Sequence, residues 1–297
     1  MSQWISSGGT VLEPEDIARG IAAGGTVQQL TATTSSSGAN QVFRVWRSGG
    51  TAVVKIYGSD ARERREHHAL NALDDLENLP VILDSGADSA THWILFTDAG
   101  RWNLQSLPEN PGLARAAGEI LQELHAHSTA AVTNLTRGID QEWVSVDFQA
   151  TLRRVDRYRG RIGLSAELVE AAFDLNAPFA SEPVVAHTDP TPRNFVVDDA
   201  GKITLISWEW ATLAPPEWDL SRALWSVGVH AGPSAAAALV EGYGRSMDLV
   251  QLDRWIVYHA AQALVSDVER NLLSRPSSSP SNLVHEFSRA VLGAGTR

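Results

Sequence analysis

The stretch Val184–Trp210, VVAHTDPTPRNFVVDDAGKITLISWEW, places a carboxylate, a carboxamide and an imidazole on one short loop. It reads as strand, polar loop, strand, turn, strand, with His187, Asp189 and Asn194 spaced H-x-D-x-x-x-x-N. This set suits phosphoryl transfer, a reaction that needs little covalent help from a protein. It needs an oriented hydroxyl and compensated charge on the moving group. Asp189 can accept the hydroxyl proton or orient the attacking oxygen, and Asn194 offers a neutral oxygen to Mg²⁺. His187 belongs to the same catalytic set, where its expected part is to pack under the loop and fix its shape.

Of 24 basic residues only Lys55 and Lys202 are lysines; the rest are arginines. Lys202 follows a DDAG turn and reads as exposed, whereas Lys55 sits inside the apolar segment TAVVKIY. An ammonium there is costly without a partner, and it can pair with the α- and β-phosphates of a nucleotide. Its expected carboxylate partner is Glu66, on the side of the next helix that carries Ala69, Leu70 and Leu73, with Glu63 as the rival. Ser36, Ser37 and Gly38 occupy a turn of small residues whose backbone N–H groups could approach phosphates. Asp219, in PPEWDLSRAL, reads either as a helix cap or as a buried carboxylate bracing the loop, and both roles can coexist.

The elements that position these groups fall into two sets. Glu13–Ala23 predicts a short helix, and Val27–Ala32, Gln41–Arg47 and Thr51–Tyr57 predict three strands. Asp60–Leu76 follows as a helix, then strands Val81–Asp84 and Trp93–Thr97. After Asp98-Ala99-Gly100 the pattern becomes helical: Ala114–His127, Val146–Arg157, Ala166–Phe173, Pro216–Val229, Ala235–Tyr243, Gln251–Leu273 and Asn282–Val291. The fold class is therefore α+β and bilobal, a small antiparallel β lobe with one main helix and a larger, mostly helical lobe. Residues 1–98 are expected to form a nucleotide-binding lobe and residues 99–297 a catalytic and substrate-binding lobe.

Composition narrows the function classes. A net charge of −11 argues against broad nucleic-acid binding and suits a cationic small substrate, for which Asp140, Glu142, Asp147, Asp267 and Glu269 are candidate contacts. The absence of cysteine excludes disulfides and thiolate metal sites. No apolar run approaches membrane-spanning length and no signal-peptide pattern opens the chain, so a soluble, cytoplasmic protein is expected.

Taken together, these motifs resemble the aminoglycoside phosphotransferases and their choline-kinase and sugar-kinase relatives, which share the protein-kinase-like fold. The resemblance runs from about Val27 to Leu224 and rests on VVKIY, REHHAL, ILQELHAHS, HTDPTPRN, Ile206-Ser207-Trp208-Glu209-Trp210-Ala211 and Asp219-Leu220. It implies ATP, Mg²⁺ and a small-molecule hydroxyl acceptor. Thr188 stands where the family's H-G-D loop has glycine, and Ser207 where its I-D-W-E strand end has the aspartate that bridges metal and phosphates. A serine hydroxyl would hold the metal less tightly, with Glu209, two residues on, as partial compensation. The implied activity is an ATP-dependent small-molecule kinase impaired at the metal. The alternatives are a catalytically silent kinase-like protein that binds nucleotide or ligand, and an engineered inactivating substitution at Ser207.

Overall fold

The computed structural model describes residues 13–30, 39–87, 91–132, 138–273 and 281–295. The chain divides into two compact units, Met1–Arg101 with Val196–Ala211, and Trp102–Phe195 with Thr212–Arg297.

In the first unit, strands β1 (Val27–Gln29), β2 (Gln41–Arg47), β3 (Gly50–Tyr57), β4 (Ile82–Ala87) and β5 (His92–Thr97) form an antiparallel sheet in the order β1-β2-β3-β5-β4. Helix α1 (Pro14–Ala22) packs Ala18 and Ala22 against Phe43, Val45, Ala52, Val54 and Ile56. Side chains alternate across a strand, so with Val54 and Ile56 committed to that face, Lys55 and Tyr57 point to the other. Helix α2 (Asp60–Ala72) covers this second face with Glu66, Ala69 and Leu70. It stops short of the expected Leu76, and the residues just beyond it, Asp74 and Asp75, oppose the negative end of a helix dipole.

Residues 196–211 group with the sheet and not, as the sequence division at residue 98 has it, with the helical part. Their hydrogen bonds give the reason: Leu205 N–H donates to Asn78 O at 2.9 Å, and Trp208 N–H to Glu66 Oε1 at 3.0 Å.

The second unit is mostly helical. It opens with the short strand β6 (Trp102–Asn103), followed by α3 (Pro111–Ala126), α4 (Gln141–Ile162) and α5 (Ala166–Phe173). Strand β7 (Val184–Ala186) leads into the polar loop, after which β8 (Phe195–Val197) and β9 (Ile203–Leu205) carry the chain into the first unit. It returns through β10 (Thr212–Ala214), which pairs antiparallel with β7, to α6 (Pro216–Tyr243), α7 (Leu249–Leu273) and α8 (Ser281–Gly295). Helix α4 outruns its expected bounds at both ends, where Asp140 caps Trp143 N–H at 2.8 Å and Gly163 takes a left-handed φ of 73°. Helix α6 is broken at Gly232 (φ 81°), just before Pro233, so it is two helices joined across a kink, as the sequence divides it. At 28 residues α6 is long and apolar enough to meet a length-and-composition test for crossing a membrane. It nonetheless buries Glu217, Asp219 and Ser221, as a core helix of this unit does. Its close crossing with α3 depends on Gly118, where a Cβ would come 2.1 Å from Leu239 O.

Gly100 marks the end of the first unit's main segment. Arg44 grips Asp98 through Nε at 2.7 Å and donates to Gly100 O at 2.5 Å, while Gly100 itself sits at φ 129°. A Cβ there would lie 2.2 Å from Val197 O, a backbone atom that cannot swing aside. Gly100→Ala is expected to destabilise the protein by about 2–3 kcal/mol. The check is thermal unfolding beside the control Gly49→Ala, whose Cβ would meet open space. Equal midpoints for the two variants would contradict the close approach.

Candidate functional site

Two clusters of functional side chains form, one within each unit. In the first, Lys55 on the central strand β3 is only 6% exposed. Its Nζ lies 2.6 Å from Glu66 Oε2 and 2.6 Å from Glu209 Oε2. Glu66, not Glu63, is thus the helix partner; Glu63 gathers with Asp60 and His92 near the start of α2. Tyr57 OH donates to Glu66 Oε2 at 2.7 Å, and Asn40 Nδ2 donates to Glu209 Oε1 at 3.0 Å. Burial pulls the Lys55 pKa down, but Glu66 and Glu209 outweigh it and the ammonium is held protonated, with its pKa raised. Burial pushes Glu66 up against the pull of Lys55. Burial also works to raise Glu209, yet Lys55 carries it below its ordinary range.

The second cluster is the loop after β7. Asp189 Oδ1 accepts from Arg222 Nε at 2.9 Å and from its terminal nitrogen at 2.6 Å. Its Oδ2 accepts from Arg193 at 3.0 Å and from Asn194 Nδ2 at 3.0 Å. Asn194 Nδ2 also donates to Asp189 O at 2.7 Å, so the carboxamide is locked with its nitrogen toward Asp189. Burial would raise the Asp189 pKa, but Arg222 and Arg193 prevail and hold the carboxyl ionised below its usual range. His187 is fully buried and its Nδ1 accepts Asp189 N–H at 3.2 Å. That is the position of a group that shapes the loop.

Asp219 fixes this backbone. It is 0% exposed, and its two oxygens accept His187 N–H and Thr188 N–H, each at 2.7 Å. His125 Nε2 approaches the same carboxylate at 3.3 Å, and His125 Nδ1 meets Tyr243 OH at 2.8 Å. Thr188 O accepts from Trp218 Nε1 at 3.0 Å. Bracing therefore places Asp219, and Leu124-His125 in ILQELHAHS supplies its second partner. Thr188 takes φ 69°, a conformation unfavourable for a β-branched residue. It persists because both of its peptide groups are tied down.

Ser207, also at positive φ (74°), adopts a backbone that aspartate tolerates better than most residues. Of the expected metal donors Asn194, Ser207 and Glu209, only Glu209 is a carboxylate, and its two oxygens are engaged by Lys55 and Asn40. Mg²⁺ bound by protein usually takes one or two carboxylates, so this donor set does not fit a protein-held magnesium ion. Ser36, Ser37 and Gly38 lie outside the described residues.

Among the candidate acceptor contacts, Asp140 caps α4, and Glu269 pairs with Arg154 and Tyr158. Asp147 accepts from Tyr258 OH and Thr151 inside an aromatic group that includes Trp218 and Trp255. Arg222 was not anticipated. Its signal is the i, i+3 spacing from Asp219, which puts the brace and the guanidinium on neighbouring helix positions.

The strain at Thr188 is directly measurable. Left-handed backbone costs a side-chain-bearing residue roughly 1–2 kcal/mol, and the greater freedom of glycine in the unfolded chain returns about half of that. Thr188→Gly is expected to stabilise the protein by about 0.5–1 kcal/mol in chemical denaturation. A lower midpoint for the glycine variant would mean that the threonine side chain makes a compensating contact.

The profile of the phosphotransferase enzyme family matches residues 31–255. No curated protein sequence matches the chain. Among solved structures, spectinomycin phosphotransferase APH(9)-Ia in complex with ADP and spectinomycin superposes with a TM-score of 0.63 at 15% identity, over 96% of this chain and 98% of that one. A choline/ethanolamine kinase family protein from Mesorhizobium loti gives 0.67 at 16% identity, over 95% and 98%. Aminoglycoside 2'-phosphotransferase-IIIa in its GDP complex gives 0.66 at 14% identity, over 90% and 93%. The fold is thus that of the kinase-like phosphotransferases, and with the family profile covering most of its length the chain belongs to the phosphotransferase enzyme family.

Proposed function

We propose that the protein transfers the γ-phosphoryl group of ATP to a hydroxyl of a small molecule, of the broad class that includes aminoglycosides, amino sugars and other natural products. The observation that carries this reading is an ionised Asp189 on a strained loop, its backbone braced by buried Asp219 and Asn194 locked beside it. The acceptor O–H gives its proton to Asp189 as its oxygen bonds to the γ-phosphorus. The bond from that phosphorus to the bridging oxygen breaks and ADP leaves. Lys55 serves the nucleotide phosphates, which must compete with Glu209 for its ammonium. The neighbours crystallised with ADP and with GDP support a purine nucleotide donor. A second reading, a silent nucleotide-binding protein, is favoured by Ser207 together with the engagement of Glu209 by Lys55 and Asn40.

Assay of phosphate transfer from ATP and from GTP against a panel of hydroxyl compounds separates the two. Asp189→Asn keeps the shape of the carboxylate and is expected to lower single-turnover transfer at least about a hundredfold with nucleotide affinity nearly unchanged. Lys55→Ala is expected to weaken nucleotide binding and turnover together. Nucleotide binding without transfer to any acceptor would favour the silent reading, and undiminished transfer by Asp189→Asn would remove its assigned role.

Ser207→Asp is expected to make nucleotide binding metal-dependent and to speed transfer at least about tenfold, corresponding to roughly 1.4 kcal/mol of barrier. Nucleotide titrations with and without Mg²⁺ in both proteins provide the check. Tight MgATP binding already present in the serine protein, with no gain from the aspartate, would show that another group supplies the missing ligand.

A further inference from the structure

Asp189 has no vacant oxygen. Four N–H groups from Arg222, Arg193 and Asn194 converge on its carboxylate. An acceptor hydroxyl can therefore reach it only when one of these donors leaves. Arg222 is largely buried and approaches Oδ1 with two nitrogens, and Asn194 is fixed a second time by Asp189 O. Arg193 is the labile one: its side chain is 61% exposed, and it makes a single contact to Oδ2 at 3.0 Å. The exposed Arg193 side chain can swing into solvent with the loss of this one contact, whereas Asp189 keeps its other three.

Two carboxylates, Asp189 and Asp219, balance the two guanidiniums of Arg193 and Arg222, and of these guanidiniums Arg193 is the exposed one, although the whole chain carries −11. Screening confines the influence of distant charges to about 8 Å at physiological salt, so a ligand at Asp189 meets the local arginines and not the overall balance. A carboxylate or phosphate would match the planar fork of Arg193. Asp147, the one candidate acceptor carboxylate within the aromatic group, is already occupied by Tyr258 and Thr151. The exposed face of Trp143 (43%), packed on Trp218 beside Thr188, adds an apolar wall.

We propose that Arg193 is the acceptor-recognition residue, leaving Asp189 Oδ2 to bind an oxyanion on the substrate, so that within the broad class proposed above the acceptor carries an acidic group beside its hydroxyl. This rests on the phosphotransferase reading only for the fate of the hydroxyl; binding of the anion does not require turnover.

The experiment uses the full chain and matched panels of hydroxy carboxylates, sugar phosphates, their uncharged parent alcohols and sugars, and amino alcohols with aminoglycosides. Calorimetric Kd values without nucleotide, then KM and kcat with ATP and GTP, are measured for the natural protein, Arg193→Ala and Arg193→Lys. We expect the natural protein to prefer acidic members over their neutral parents. Arg193→Ala should lose at least about tenfold of that preference, mainly in Kd and KM, and Arg193→Lys should recover part of it. The carboxylate and phosphate arms identify which oxyanion is taken. Tightest binding by cationic members, no binding by any acidic member, or an unchanged preference in Arg193→Ala would overturn the proposal. Acidic compounds bound through Arg193 but never phosphorylated would leave the anion site standing and remove the kinase reading. Transfer to aminoglycosides alone would do the reverse.

Discussion

A buried carboxylate accepting two consecutive backbone N–H groups underlies the loop after β7. Asp219 binds His187 N–H and Thr188 N–H, and His125 closes its remaining side. A buried anion is tolerable only when hydrogen-bonded, so the brace and the loop stabilise each other. With residues 187 and 188 fixed, the left-handed turn at Thr188 is enforced and the Asp189 carboxylate can be presented to Arg222 on the same helix as the brace. Helix α6 thus supplies both the support of the loop and the charge that keeps its carboxylate ionised.

The first unit carries an analogous arrangement with the signs reversed. One buried ammonium, Lys55, lies between two carboxylates, Glu66 and Glu209. Glu66 is tied further by Tyr57 OH and Trp208 N–H, which makes it a fixed anchor. Glu209 is the exchangeable member, held otherwise by Asn40. In the proposed function a nucleotide phosphate would compete with Glu209 for the same ammonium. With serine at 207, Glu209 is also the only carboxylate among the expected metal donors.

Much of this was readable before folding. The strand bearing Lys55 was bounded within a residue, because β-branched alternation is a local signal, and helix α5 was found as drawn. Helix α4 was underestimated although its first turn carries buried Val144, four residues before Phe148, and Asp140 and Gly163 mark its ends. The departure of residues 196–211 to the first unit was not readable at all, since it depends on hydrogen bonds to Asn78 and Glu66, more than a hundred residues away in sequence.

By itself the sequence determined which chemical groups are available: a lone strand lysine, the loop carboxylate and carboxamide, and a serine in place of an aspartate. These follow from residue type and short-range spacing. Only the tertiary structure decided their states. It chose Glu66 over Glu63, tied Glu209 to Lys55, brought Arg222 and Arg193 onto Asp189, and made Asp219 a brace. Partner choice among like-charged side chains depends on distance and burial in the folded chain, and spacing along the sequence does not encode either for residues that meet across elements.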